Sequence, residues 1–296
     1  MNEQPVWRTH GTKPFQIVLE GGAMRNVFTS GVLDFLLDQG VLAESVIGVS
    51  SGAICGFCYA CSAPGRMAYC DIAYAPDWRF MSLRSKLATG NFIGVEFLLE
   101  TIPNELERFD LTPFLDSPVE FVTVASDIER GEADYHIASN DGDIARTMKY
   151  IEAGASMPLA NCPTRIDGKK LLDGGVCDCV PVAEGKRRYG GKQLVVLTQP
   201  RGFRQTSQPQ MHALAACYLR YPEFARKVAS KSDRYNATYE AIERAHDCGE
   251  LYAIWPKEPL DLGMAESDTE RLLGAYEKGL ERTMELWPEI REYFEL

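Results

Sequence analysis

Short apolar runs recur along this chain, each followed by a small-residue turn and then a helix-like stretch, and that order narrows the fold more than any other feature. Phe15 to Leu19 is a strand-like run, and Glu20-Gly21-Gly22-Ala23-Met24-Arg25 follows it as a turn. Val27 to Leu37 then places its apolar residues mostly on one helical face, with Gly40 as a stop signal. Ser45 to Val49 is the next strand, and Ser51 to Cys61 the next helix. Strands alternating with helices imply a mostly parallel sheet covered on both faces.

Later segments extend the pattern. Val119 to Ala125 and Ala133 to Ala138 read as a hairpin turning near Arg130-Gly131, and Asp143 to Ala155 as a helix. Asp167-Gly168 between Thr164-Arg165-Ile166 and Lys169 to Leu172 is a tight-hairpin signal. Leu194 to Thr198 and Leu251 to Trp255 are further strands. His212 to Arg244 and Glu266 to Phe294 read as amphipathic helices. The stretch from Ala63 to Pro118 has no clean period. Its aromatic residues, among them Tyr74, Trp78, Phe80, Phe92 and Phe97, either line a channel over the active site or fill a core.

Composition bounds the function. With 296 residues and 45% hydrophobic content, one large α/β domain is expected over 1–296. A net charge of −11 argues against nucleic-acid binding, which needs clustered Lys and Arg. The polar N-terminus carries no secretory signal pattern and no run is long enough to span a bilayer, so a soluble cytoplasmic protein is expected. Nine cysteines then read as free thiols. Cys55, Cys58 and Cys61 have ligand-like spacing, but their small-residue helix reads better as buried packing, and no metal is expected. Asn236-Ala237-Thr238 matches a glycosylation acceptor that carries no meaning without secretion.

Three segments carry chemistry. Gly48-Val49-Ser50-Ser51-Gly52 is a G-x-S-x-G between a strand and a helix, the setting of a nucleophile elbow. Gly48 and Gly52 permit the sharp turn, and the following helix N-terminus favours developing negative charge. The Gly21-Gly22-Ala23 loop can present backbone N–H groups to an oxyanion. It lacks the spacing of a dinucleotide or phosphate-binding loop. Leu171-Leu172-Asp173-Gly174-Gly175 offers a carboxylate at a strand end, where burial beside Ser50 would raise its pKa toward that of a useful base. The four histidines, His10, His136, His212 and His246, lie in none of these settings, with His246 read as a solvent-facing helix end.

Together, Glu20 to Arg25, Gly48 to Gly52 and Asp173-Gly174-Gly175 resemble the patatin-like phospholipases, bacterial branch, in order and spacing, as does Ala155-Ser156-Met157-Pro158. The resemblance covers about 15–181, with the helices from 205 to 296 packed on that core. It implies a three-layer α/β/α sandwich and a Ser50–Asp173 dyad without histidine. It also implies an oxyanion site on Gly21, Gly22 and Ala23, with Arg25 supporting that loop. A lipid or acyl-ester substrate and transient membrane contact are implied as well, with no cofactor. Ala23 stands where a third glycine is usual and Asn26 where glycine is common. A positive φ at Ala23 would strain the loop, whereas Asn tolerates a left-handed conformation. Two rival readings remain: a Ser–His–Asp esterase using His212 or His246, and a non-catalytic binding module on a hydrolase-like fold.

Overall fold

The structure is a computed structural model that describes residues 6–138, 143–206 and 209–296. Helix α1 (Val6–His10) leads into strand β1 (Lys13–Leu19). A 3-10 turn (Ala23–Arg25) follows, then α2 (Asn26–Asp38), β2 (Ala43–Val49) and α3 (Ser51–Ala60). The unassigned stretch holds α4 (Arg66–Tyr74), α5 (Leu83–Thr89), a π-helical segment (Phe97–Leu106) and α6 (Thr112–Asp116). Next come β3 (Glu120–Asp127), β4 (Glu132–Ala138), α7 (Ile144–Gly154), β5 (Thr164–Ile166) and β6 (Lys169–Asp173). The chain ends with α8 (Val182–Tyr189), β7 (Lys192–Val196), α9 (Pro209–Ala216), α10 (Pro222–Ala229), α11 (Lys231–Asp247), β8 (Tyr252–Ile254) and α12 (Thr269–Phe294).

One sheet runs in the order β5-β6-β3-β2-β1-β7-β8, with β4 paired to the other edge of β3. The central pairs are parallel, and β3–β4, β3–β6 and β5–β6 are antiparallel. Side chains alternate between two cores, as the two-residue strand period requires. Phe15, Ile17, Leu19, Val46 and Phe121 face a core shared with α2, α3 and α12, while Val18, Ile47, Val49, Val122 and Val124 face one shared with Tyr235, Tyr239 and Ile242 of α11. The result is the expected α/β/α sandwich. Helix α12 crosses α2 backbone to backbone, because a Cβ at Gly31 or Gly279 would collide with a main-chain oxygen of the facing helix.

Local turn chemistry explains the hairpin that delivers Asp173. Asp167 and Gly168 both take positive φ, 50° and 78°, the twist that suits a two-residue hairpin. One expectation needs correction. His212 to Arg244 is three helices rather than a long one; Pro222 lacks an N–H and sits in the first turn of α10, so the chain breaks before it. Of the two roles left open for the aromatic residues of 63–118, core filling is the one observed for three of them. Phe80, Phe97 and Phe114 are buried in the α2–α3 core, and no residue of the stretch lines the cavity at Ser50.

Candidate active site

Ser50 stands between the end of β2 and the first residue of α3, with φ 54° and ψ −130°. L side chains rarely adopt that conformation, and the surrounding packing must hold it. Gly52 shows how tightly: a Cβ there would sit 2.5 Å from the Glu20 carbonyl oxygen, so the G-x-S-x-G helix lies directly against the Gly-rich loop. Gly48 packs as closely on the first turn of the same helix, where an added Cβ would lie 2.7 Å from the Ala53 nitrogen.

Strand β3 brings the carboxylate to the serine. One edge of β3 is occupied by β4, so β2 and β6 share the other. Val49 pairs with Val124, and Asp173 pairs with the next residue, Ala125. β2 runs parallel to β3 and β6 antiparallel, so their C-terminal ends meet head-on, and Ser50 and Asp173 occupy that meeting point. Ser126 Oγ donates to the Asp173 carbonyl at 2.8 Å, and the Asp173 N–H donates to the Ser156 carbonyl at 2.8 Å, which fixes the residue from both sides. A side chain on Gly174 would run into the Val124 carbonyl, so only glycine lets the strand turn there.

The geometry is that of a paired hydroxyl and carboxylate. Ser50 Oγ donates to Asp173 Oδ2 at 2.7 Å, and the Gly175 N–H donates to Oδ1 at 2.8 Å. Asp173 is 8% exposed. Burial pushes its pKa above the usual carboxylate value, opposed by the charge of Lys231 and by the hydrogen bonds from Ser50 and Gly175.

Ala23 takes φ 49°, so the alanine in the third loop position does occupy a left-handed conformation. Asn26 is ordinary right-handed backbone, and its value lies in its side chain instead. Asn26 Nδ2 donates to the Glu20 carbonyl at 3.0 Å, and its Oδ1 accepts from Ser51 Oγ at 2.7 Å. Ser51 Oγ in turn accepts from the Gly22 N–H at 3.2 Å. Below the loop, the buried Glu20 carboxylate accepts from the Thr198 N–H at 2.6 Å, the Thr198 hydroxyl, Tyr235 at 2.6 Å and Tyr239 at 2.8 Å. None of these partners of Glu20 could be picked out locally, since they lie far away in sequence.

Ser50 and Asp173 open into a cavity of about 190 Å³. Gly21, Gly22, Ala23, Arg25 and Gly175 line it, as do Met157 and Pro158, and the C-terminal part of the chain contributes Gln205, Lys231, Tyr235 and Met264. No histidine lines it. His246 is packed rather than solvent-facing: its ring meets Tyr252 and Trp255 edge-on, and its Nδ1 accepts the Ala253 N–H. His212 is exposed on α9, and His136 stacks on Tyr150. Cys55 and Cys61 are buried in the core beside α3, where burial raises both thiol pKa values.

A family model described as Patatin-like phospholipase matches residues 17–185, a span that includes Gly21 to Arg25, Ser50 and Asp173. The chain belongs to the patatin-like phospholipase family. A second model, described as Domain of unknown function (DUF6363), matches residues 221–295. The protein YjjU of Escherichia coli, described as uncharacterized, is 25% identical over 84% of this chain and 71% of its own length. The lysophospholipase nte1 of Emericella nidulans is 30% identical over 57% of this chain, and that of Meyerozyma guilliermondii 26% over 61%. These matches span only 11% and 12% of the two fungal proteins. The crystal structure of VipD from Legionella pneumophila superposes with a TM-score of 0.44 at 13% identity, covering 94% of this chain and 67% of that one. Membership of the patatin-like phospholipase family supports lipid hydrolase activity. Among the described residues, no helix is long and apolar enough to cross a membrane.

Proposed function

We propose that this protein hydrolyses acyl esters of lipids through a Ser50–Asp173 dyad. The observation that carries the reading is the 2.7 Å bond from Ser50 Oγ to a buried carboxylate, in a cavity that no histidine enters. As the Ser50 oxygen attacks the acyl carbonyl, its proton passes to Asp173 Oδ2. The carbonyl oxygen becomes an oxyanion beside the N–H groups of the Gly21-Gly22-Ala23 loop and the start of α3. Gly22 holds a neutral acceptor, Ser51 Oγ, at rest. A charged oxygen makes a stronger hydrogen bond and can displace it. Collapse breaks the ester bond, and the leaving alcohol takes the proton from Asp173. Asp173 then accepts a proton from water, whose oxygen attacks the acyl-Ser50 carbonyl. Fatty acid leaves, and Ser50 recovers its proton from Asp173.

Two further parts of the reading concern the molecule as a whole. The chain works as one domain, supported by α12 lying on α2 and by α11 reaching Glu20 under the loop. Membrane contact is transient and runs through exposed Leu83, Leu87, Leu159 and Leu219. Lys86 Nζ ties α5 to the Leu159 and Ala160 carbonyls, and Tyr218 accepts the Leu159 N–H, so α5 and Tyr218 flank the segment that follows Met157 and Pro158 of the cavity wall.

The test is hydrolysis of a short-chain p-nitrophenyl ester by wild type, Ser50→Ala and Asp173→Ala, with folding checked by circular dichroism. Turnover by wild type and none by either folded variant supports the dyad. Full activity in Ser50→Ala would sink it.

A further inference from the structure

The C-terminal segment matched to a domain of unknown function does more than pack against the hydrolase core. Lys231 and Tyr235 lie one turn apart on α11, on one face, and both line the Ser50 cavity. The same helix is fastened to both site loops. Tyr235 and Tyr239 hold Glu20 below the Gly-rich loop. Arg234 donates to the Cys177 carbonyl at 2.9 Å and to the Val176 carbonyl, just beyond Asp173-Gly174-Gly175. Lys231 is therefore placed by a rigid frame.

The cavity wall carries two cations and two carboxylates. Arg25 and Lys231 both line it, and among the described residues neither forms an ion pair within 4.0 Å. Arg25 Nε is buried without a hydrogen-bond partner, so no protein acceptor engages that nitrogen. The two carboxylates at the wall are already engaged. Glu20 accepts from Thr198, Tyr235 and Tyr239, and Asp173 from Ser50 and Gly175. Among the described residues, no other carboxylate lines the cavity to hold an ammonium group. Lys231 lines the same cavity as Asp173, the group that returns the proton to the leaving alcohol in the reading above.

We propose that Lys231 and Arg25 form a subsite for an anionic group on the leaving alcohol, so that the enzyme prefers acyl esters whose phosphate headgroup carries net negative charge over zwitterionic ones. The substrate class rests on the lipid-hydrolase reading above. The subsite is tested apart from it, by binding to protein that has no nucleophile. Calorimetry on folded Ser50→Ala protein would compare hexyl phosphate, hexylphosphocholine and inorganic phosphate. Hexyl phosphate should bind at least about tenfold more tightly than hexylphosphocholine. Adding Lys231→Gln should remove most of that preference and leave the phosphocholine affinity nearly unchanged, while Lys231→Arg should keep it. In the active enzyme, Lys231→Gln should raise KM for an anionic lysophospholipid about tenfold, and Lys231→Arg should restore it. Equal affinity for the two alkyl ligands, or a preference that survives in folded Lys231→Gln, would overturn the subsite. Inorganic phosphate binding as tightly as hexyl phosphate would mark a free-anion site and overturn the headgroup assignment. A dead Ser50–Asp173 dyad with the binding preference intact would instead locate the failure in the catalytic reading.

Discussion

Replacing Asp173 by Asn should abolish catalysis while stabilising the fold, and the opposite signs come from the same burial. The two oxygens of Asp173 accept from different donors, Ser50 Oγ and the Gly175 N–H. An asparagine of the same shape keeps its one oxygen on Gly175 and turns its NH₂ to Ser50. Both hydrogen bonds survive, but Ser50 becomes an acceptor and no group can take its proton. Loss of a general base costs 10²–10⁴ in rate, about 3 to 5 kcal/mol of barrier. Stability moves the other way. The folded pKa lies above the ordinary value because burial disfavours the charged form. Stability from this residue is full below the unfolded pKa and is lost as pH rises through the folded one. Asn has no such loss, so Asp173→Asn should be at least as stable as wild type at pH 8 and converge with it toward pH 4. Denaturant melts at both pH values, beside ester hydrolysis, check this. A variant clearly less stable at pH 8, or one retaining a tenth of wild-type activity, would refute the reasoning. In the wild type, activity should fall with acid around a pKa above 3.8, as the base protonates.

Ala23→Gly should relieve the left-handed strain at φ 49° and raise stability by about 0.5 kcal/mol after the added unfolded-state entropy of glycine, with activity equal or higher; a lower melting temperature would contradict it. Gly174→Ala should cost about 2 kcal/mol and at least about a hundredfold in activity, because its Cβ meets the Val124 carbonyl and displaces Asp173; denaturation and ester kinetics read both. Asp71, buried and with Oδ2 unbonded, has a pKa raised to about 8 by burial, so Asp71→Asn should gain about 1 kcal/mol over wild type per pH unit between pH 5 and 8, measured by urea midpoints. Leu83→Glu with Leu87→Glu should abolish co-sedimentation with vesicles and spare hydrolysis of a soluble ester; unchanged co-sedimentation would remove these leucines from the membrane contact.

Short-range signals were legible in the sequence because their physics is short-range. The left-handed Asp167-Gly168 turn, the strand–serine–helix elbow and the apolar β1 and β2 runs each follow from a few adjacent residues. Asp173 could be picked out as a strand-end carboxylate, and the family resemblance joined it to Ser50, but the junction itself arises where β2 and β6 share an edge of β3. The C-terminal wall was not legible at all. Tyr235 and Tyr239 meet Glu20 across more than two hundred residues, and nothing near either marks the other. Pro222 was available as a break in the helix read over 212–244, and the helical period hid it. The aromatics of 63–118 had no period because they reach the core from several short, separate helical segments.

The most direct measurement of the central claim is covalent labelling with a fluorophosphonate probe, followed by intact mass and peptide mapping. The account predicts one adduct per chain, on Ser50, lost in Ser50→Ala and at least about a hundredfold slower in folded Asp173→Asn. An unlabelled Ser50 in folded wild type, or labelling at an unchanged rate without Asp173, would contradict it.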